Sequence, residues 1–305
     1  MIPVKRLQSN LLLLLAACIW GFAFVAQREG MSHMGPFTFN AIRFMLGAAS
    51  LLPLIYFLNK KKTGKASRSE GKAELRRGTL GGVLAGLILF TGSSLQQIGL
   101  VYTTAGKAAF VTGLYIVIVP FLGLFLKQRL ALNSVLGAIV AVVGLYLLCV
   151  TNDLSLNRGD LYALAGAFFW SLHILLIDKL SQTADGLKLS LFQTVVCAVL
   201  SWIAALATET ITLDGVSNVW IPLLYGGVCS VGIAYTLQII GQRDAHPTQA
   251  AIILSTESVF AALGGFLILD EQLGVRGVLG CVFMLAGMLL PQLPSIRGLR
   301  QRRYN

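Results

Sequence analysis

The chain has 305 residues, of which 56% are hydrophobic and only 12% are Asp, Glu, Lys or Arg, about half the charged share of a soluble domain. Mean hydropathy is +0.76, and apolar stretches long enough to cross ~30 Å of hydrocarbon recur from end to end, which excludes a soluble domain. The net charge of +11 is gathered in clusters between those stretches, the pattern of membrane topology rather than of nucleic-acid binding.

Ten spans can be drawn, at about 11–27, 36–58, 78–99, 106–126, 132–150, 160–177, 188–207, 219–240, 248–269 and 274–293. The first begins like a lipoprotein signal, with Lys5 and Arg6, then Leu11 to Leu15, then Ala16-Ala17-Cys18. The apolar run continues through Ile19, Trp20, Phe22 and Phe24, so a full span is expected instead. All spans are expected to be helices, because backbone facing lipid must satisfy its own hydrogen bonds. Pro36, Pro120, Pro247 and Pro291 fall at starts, ends or expected kinks. Cys18, Cys149, Cys197, Cys229 and Cys281 all lie within spans, with no CxxC, and read as small apolar filler.

Orientation follows from the basic residues. With a cytoplasmic N-terminus, 19 of the 24 Lys and Arg face the cytoplasm. They include eight from Lys60 to Arg77 and four from Arg297 to Arg303. Arg28, Lys107, Arg158 and Arg276 fall outside, and Arg43 lies within a span. The positive-inside rule therefore puts both termini in the cytoplasm of a multi-pass protein of the cytoplasmic membrane.

The chain also repeats itself. At an offset of 150, Trp20 falls on Trp170 and Arg43 on Gln193; at 142, Leu95, Gln96, Ile98 and Gly99 fall on Leu237, Gln238, Ile240 and Gly241. At 143, Gly137 and Gly144 meet Gly280 and Gly287. Leu-on-Leu matches mean little in membrane helices, but Trp-on-Trp, Gln-on-Gln and ordered glycines at nearly constant offset mark a repeat. Two halves, 1–150 and 151–305, each hold five spans. Five is odd, so the second half enters the membrane opposite to the first, and inverted repeats of this kind belong to secondary transporters.

The stretches Trp20-Gly21, Ala41-Ile42-Arg43-Phe44, Lys107-Ala108-Ala109-Phe110 through Pro120, Ala250-Ala251, Ser255 to Leu263 and Asp270-Glu271-Gln272-Leu273 resemble the drug/metabolite transporter superfamily, specifically carriers with two EamA-type repeats. The resemblance covers nearly the whole chain and implies carriage of amino acids, metabolites or drugs. It departs in detail, since the usual Glu-Pro of the ninth helix reads Glu257-Ser258 and the Glu near the end of the fourth is replaced by Lys127-Gln128-Arg129.

Few polar residues lie deep in the membrane. A rise of ~1.5 Å per residue puts Trp20 and Trp170 each about 14 Å from a membrane face, near the midplane, where interfacial anchoring does not account for them. They are candidates for a cavity lining or for packing between helices. Arg43 lies about 10 Å below the outer face and Glu257 about 14 Å above the inner one, a vertical gap of about 6 Å across ~30 Å of hydrocarbon. Each buried charge needs a partner or water, so the two either face a substrate path or form a structural ion pair. Tyr115, the repeat partner of Glu257, should face the same cavity. His173, three residues after Trp170, is a candidate proton relay or a hydrogen-bonded structural residue. Gln96 and Gln238 fall toward helix ends and suit gate contacts or backbone satisfaction. Lys107 is expected to snorkel, and Asp270-Glu271 to form a solvated turn. Gly78, Gly82 and Gly86 allow close helix packing.

Nothing resembles a P-loop, a metal cluster or a catalytic triad, so no cofactor, metal or enzymatic activity is expected. The leading function is secondary transport of a small-molecule substrate by alternating access, with proton coupling through Glu257 or His173 as a further expectation. A membrane enzyme on lipid-linked substrates should cluster ionisable residues at one face, and a channel should show a continuous polar stripe; neither pattern is present. The expected surroundings are lipid on all sides and a monomer or homodimer.

Overall fold

The computed structural model describes residues 4–61, 68–103, 105–127, 130–149, 158–268 and 274–292, which form helices and short turns, with no strand among them. The side chain of Lys107, together with Gln128, Arg129, Asp270, Glu271 and the arginines beyond 292, lies outside the described residues. The first half contains α1 (Val4–Gly30), α2 (Pro36–Lys61), α3 (Arg68–Tyr102), α4 (Ala105–Gly113), α5 (Tyr115–Phe125) and α6 (Leu132–Cys149). The second contains α7 (Arg158–Ser181), α8 (Gly186–Thr208), the short α9 (Leu213–Asn218) and α10 (Trp220–Leu224). A π-helix (Tyr225–Ala234) then leads into α11 (Tyr235–Gln242), α12 (Pro247–Leu254), α13 (Glu257–Ile268) and α14 (Val275–Leu289). Eight stretches are long and apolar enough to cross a membrane, and α6 and α14 are shorter apolar helices. Together these are the ten spans.

Helix starts follow local chemistry. Pro36 opens α2 and Pro247 opens α12, positions where a missing N–H costs nothing. The α2 start is capped from the other half: Glu209 accepts from Phe37 N and Thr38 N, both at 2.8 Å, and from Thr38 Oγ1 at 2.6 Å. A carboxylate there satisfies orphan donors and meets the positive end of the helix dipole. Asp185 does the same for α8 from its own N-cap.

Two spans that the sequence draws as continuous are broken. The fourth is α4 and α5, parted at Leu114; the ninth is α12 and α13, parted at Ser255-Thr256. Pro120 sits inside α5, so the kink expected there falls several residues earlier. In the ninth span the hydroxyls of Ser255 and Thr256 donate to the carbonyls of Ile252 and Ile253 at 2.9 and 2.6 Å, which occupies backbone acceptors at the break. At an offset of 142 Leu114 falls on Thr256 and Tyr115 on Glu257, so the two breaks are repeat mates.

The packing carries the same two-fold. A Cβ on Gly137 would stand 2.7 Å from the Gly287 carbonyl oxygen, and one on Gly144 would stand 2.7 Å from that of Gly280. Gly137 and Gly280 are repeat mates, as are Gly144 and Gly287, so α6 and α14 meet through the same patch, each against its own image. Between α3 and α8 a Cβ on Gly86 would stand 2.9 Å from the Gln193 carbonyl oxygen; between the π-helix and α2 one on Gly227 would stand 3.0 Å from that of Arg43. Arg43 and Gln193 are mates at 150, which makes Gly86 the mate of Gly227 at an offset of 141. By Gln96 and Gln238 the offset is 142. The second half thus holds one residue more between these landmarks, and the helix absorbs it by widening to π.

Two glycines of the α3 stripe serve this internal packing, Gly82 against Phe192 and Gly86 against Val196 on α8, whereas a Cβ on Gly78 would meet no described residue within 4 Å. Large apolar side chains left exposed, such as Leu136 and Ile139 on α6, Ile203 and Leu206 on α8, and Val278 and Val282 on α14, form the lipid-facing surface.

Candidate functional site

The broken spans cross at the centre of the bundle beside α1 and α7. Gly21 makes this possible on one side, because a Cβ there would meet the Cβ of Phe260 and stand 2.6 Å from the Glu257 carbonyl oxygen. The motif Trp20-Gly21 therefore combines a cavity wall with the closest approach of α1 to the ninth-span break. Ser258 donates to the Ala109 carbonyl at 3.1 Å and ties α13 to α4.

A cavity lies between these elements, lined by Trp20, Arg43, Tyr115, Trp170, Tyr235 and Glu257 among others. The volume open to the centre of a water molecule is about 40 Å³, room for about three waters. Tyr115 Oη donates to Glu257 Oε1 at 3.0 Å, so the two repeat mates join across the pseudo-two-fold axis. Tyr235 sits between the two tryptophans, its ring 4.9 Å from Trp20 and 6.3 Å from Trp170.

Arg43 and Glu257 both line the cavity but form no ion pair with each other in this conformation. Arg43 Nε donates to Asn40 Oδ1 at 2.9 Å, and its guanidinium carbon lies 5.8 and 5.0 Å from the rings of Phe39 and Phe44. Only 3% of the residue is exposed. Among the described residues, neither of its two terminal nitrogens nor Glu257 Oε2 makes a hydrogen bond. A charge at mid-membrane costs about 2.5–3.5 kcal/mol on insertion scales, and here neither charge is offset by the other.

Gln96 and Gln238, placed by spacing toward helix ends, both reach this cavity. Trp170 Nε1 donates to Gln96 Oε1 at 2.9 Å, and Gln96 Nε2 to Gln27 Oε1 at 3.3 Å. His173 does not line the cavity. It is wholly buried behind Trp170 and Tyr235, and its Nε2 donates to Gln193 Oε1 at 2.9 Å. Seven further lining residues escape the sequence reading: Phe24, Gln27, Thr112, Ile174, Ser230, Tyr235 and Leu254. Gln27 carried a signal as an amide within a span; the other six have nothing in the sequence to separate them from packing.

The profile of the EamA-like transporter family matches residues 7–150 and 157–291. The chain belongs to the EamA-like transporter family. An uncharacterized transporter of Archaeoglobus fulgidus is 30% identical over 95% of this chain and 87% of its own length. The uncharacterized transporter YoaV of Bacillus subtilis is 22% identical over 89% of this chain and 92% of its own. A WAT1-related protein of Arabidopsis thaliana is 25% identical over 86% of this chain and 78% of its own. A crystal structure at 18% identity superposes with a TM-score of 0.74, covering 96% of this chain and 98% of that one, and supports the fold. Two profile matches, one per half, make this EamA-like transporter a membrane protein of two five-helix repeats.

Proposed function

We propose that this transporter moves a small amphoteric solute across the cytoplasmic membrane by alternating access, with the solute seated between Arg43 and Glu257. The observation that carries the reading is the crossing of two symmetry-related helix breaks at Tyr115–Glu257 inside a cavity. Discontinuous spans at a repeat interface near the midplane are where inverted-repeat carriers hold their cargo. The unpartnered end of Arg43 suits a carboxylate as a charge-assisted donor, and Glu257 suits an ammonium group or a proton. Trp20, Tyr235 and Trp170 offer an apolar wall, with cation–π capacity toward a cationic group. A cavity of this size holds waters rather than a metabolite, so substrate entry requires the halves to move apart.

The test is flux in reconstituted vesicles, with candidates first chosen by thermal shift, since a ligand of the folded state raises its apparent stability. Amino acids, amines, monocarboxylates and cationic drugs make up the panel. Stabilisation and saturable flux of solutes carrying both charges support the reading; stabilisation only by singly charged solutes overturns it. Coupling to protons is read from the same flux across pH 5 to 8. Both termini are taken as cytoplasmic, so in intact cells Ser32→Cys and Thr212→Cys should react with impermeant thiol reagents, and Ala184→Cys should not.

A further inference from the structure

The repeat pairs Trp20 with Trp170 and Gln96 with Gln238, so an exact two-fold would contain two Trp–Gln hydrogen bonds. Only one is made. Trp170 Nε1 donates to Gln96 Oε1 at 2.9 Å, whereas Trp20 Nε1 donates to the backbone carbonyl of Ser230 at 3.1 Å. Gln238 Oε1 is left buried in the cavity wall with no partner. A buried carbonyl left without a donor is destabilising, and no protein group supplies one here. The missing donor, Trp20, lines the same cavity. Gln238 lies one helical turn beyond Tyr235, whose ring is 4.9 Å from that of Trp20.

Two local features hold the bonds in this unequal arrangement. Gln96 is oriented by Gln27, whose own Nε2 is held by the Ala23 carbonyl at 3.1 Å. The repeat mate of Gln27 is Ile177, which offers no such tether to Gln238. Ser230 belongs to the π-helix, where the added residue shifts the carbonyls out of α register and leaves one turned to Trp20. The matching stretch of α3 is regular α-helix, with its carbonyls used inside the helix.

We propose that Gln96 and Gln238 are paired positioning residues that hold their tryptophans alternately: the transporter passes from one facing state to the other by breaking Trp170–Gln96 and making Trp20–Gln238. This rests on the alternating-access reading, in which the two halves exchange conformations. Gln238, unused here, is the acceptor of the opposite state. Each bond stabilises one state, so deleting either acceptor shifts the population in an opposite direction.

The test is ¹⁹F NMR of the full chain labelled with 5-fluorotryptophan in lipid nanodiscs, with signals assigned by single Trp→Phe changes. Gln96→Leu should change the ratio of the two Trp170 environments about fivefold, the worth of one net hydrogen bond, and the ratio for Trp20 by the same factor in the opposite sense. Gln238→Leu should reverse both, and the double variant should return both toward wild type. A purely structural role for Gln96 would move Trp170 and leave Trp20 alone, which overturns the proposal. If Gln96→Leu fails to fold, Gln238→Leu carries the test, because its Oε1 bonds nothing in this structure. It should shift the Trp20 ratio about fivefold, and an unchanged Trp20 ratio overturns the exchange. Phe24→Cys and Leu254→Cys, on a cysteine-free background, report access to the outer and inner sides of the cavity. Alternating labelling with uncoupled indole signals overturns the exchange alone, whereas simultaneous labelling from both faces overturns alternating access itself.

Discussion

The two broken spans share a backbone and differ in chemistry. In the first half the chain parts at Leu114 and resumes with Tyr115; in the second it parts at Ser255-Thr256 and resumes with Glu257. The mates bond each other at 3.0 Å, so one position of the axis holds a neutral phenol and the other an ionisable carboxyl. The reverse division holds at Arg43 and Gln193, where the first half carries the charge and the second an amide that holds His173. Symmetry supplies the scaffold, and each departure from it supplies one charge of the site. A carrier with identical halves would place like charges in pairs around its axis, and like charges repel.

The largest expected effect comes from erasing the ionisable half of that contrast. Glu257→Gln keeps a carbonyl to accept from Tyr115 and should insert and purify normally, while flux of an identified substrate falls about 100-fold, equivalent to losing a charge-assisted contact of about 3 kcal/mol. Glu257→Gln with Arg43→Gln should stay inactive, since neither charge neutralises the other. Flux like that of wild type from Glu257→Gln would remove the carboxylate from the mechanism.

Next in size is the contrast of Gly21 with its mate Ser171. Gly21→Ala forces a methyl group onto Phe260 and the Glu257 carbonyl, and overpacking of this kind costs about 1–3 kcal/mol. The melting temperature in detergent should drop by several degrees. Ser171→Gly, the reciprocal change, removes the bond from Ser171 Oγ to the Ala167 carbonyl at 2.7 Å and should cost less, about 0.5–1 kcal/mol; equal losses from the two would mean that α1 and α7 are packed alike.

Tyr115→Phe sharpens the comparison further by deleting only the bond across the axis. It should lower stability by about 1 kcal/mol and leave flux within a few-fold of wild type, as measured by melting and by vesicle transport. Loss of flux as deep as that from Glu257→Gln would make the phenol part of the site rather than its support.

The smallest effect lies outside the membrane, at the start of the ninth span, where His246 Nδ1 accepts from Thr248 N at 3.3 Å. Partial burial lowers its pKa from the ordinary value, and the positive end of α12 acts in the same direction. A group protonated more readily unfolded than folded loses stability as pH falls. The melting temperature should therefore decline slightly as pH drops below about 6.5, and His246→Asn, which retains a capping acceptor, should flatten that decline.

Much of the architecture was legible because lipid imposes it. Apolar length dictates spans, basic clusters suggest orientation, and the offsets of Trp20, Gln96 and Gly137 reveal the repeat without coordinates. Arg43, Glu257, Tyr115 and the two tryptophans were legible as candidates because polar or amphipathic groups at mid-membrane are costly and therefore rare. His173 satisfied the same criterion and does not line the cavity, since a polar residue can be held by a buried amide as well as by a solute. Tyr235 went unremarked, though it touches both tryptophans, because a tyrosine in an apolar span looks like packing until its neighbours are known.

Sequence alone determined the class of molecule: ten helices, two inverted halves and a short register of intramembrane polar residues. Those features depend on one-dimensional quantities, the run length of apolar residues and the spacing of rare ones. Only the tertiary structure decided that Arg43 turns to Asn40 and two phenylalanines rather than to Glu257, and that the fourth and ninth spans break where their mates meet. It alone decided that one added residue before Tyr235 becomes a π-helix. Each of these depends on which backbone hydrogen bonds survive when helices from opposite halves press together, and that choice is made by contacts across more than a hundred residues of chain.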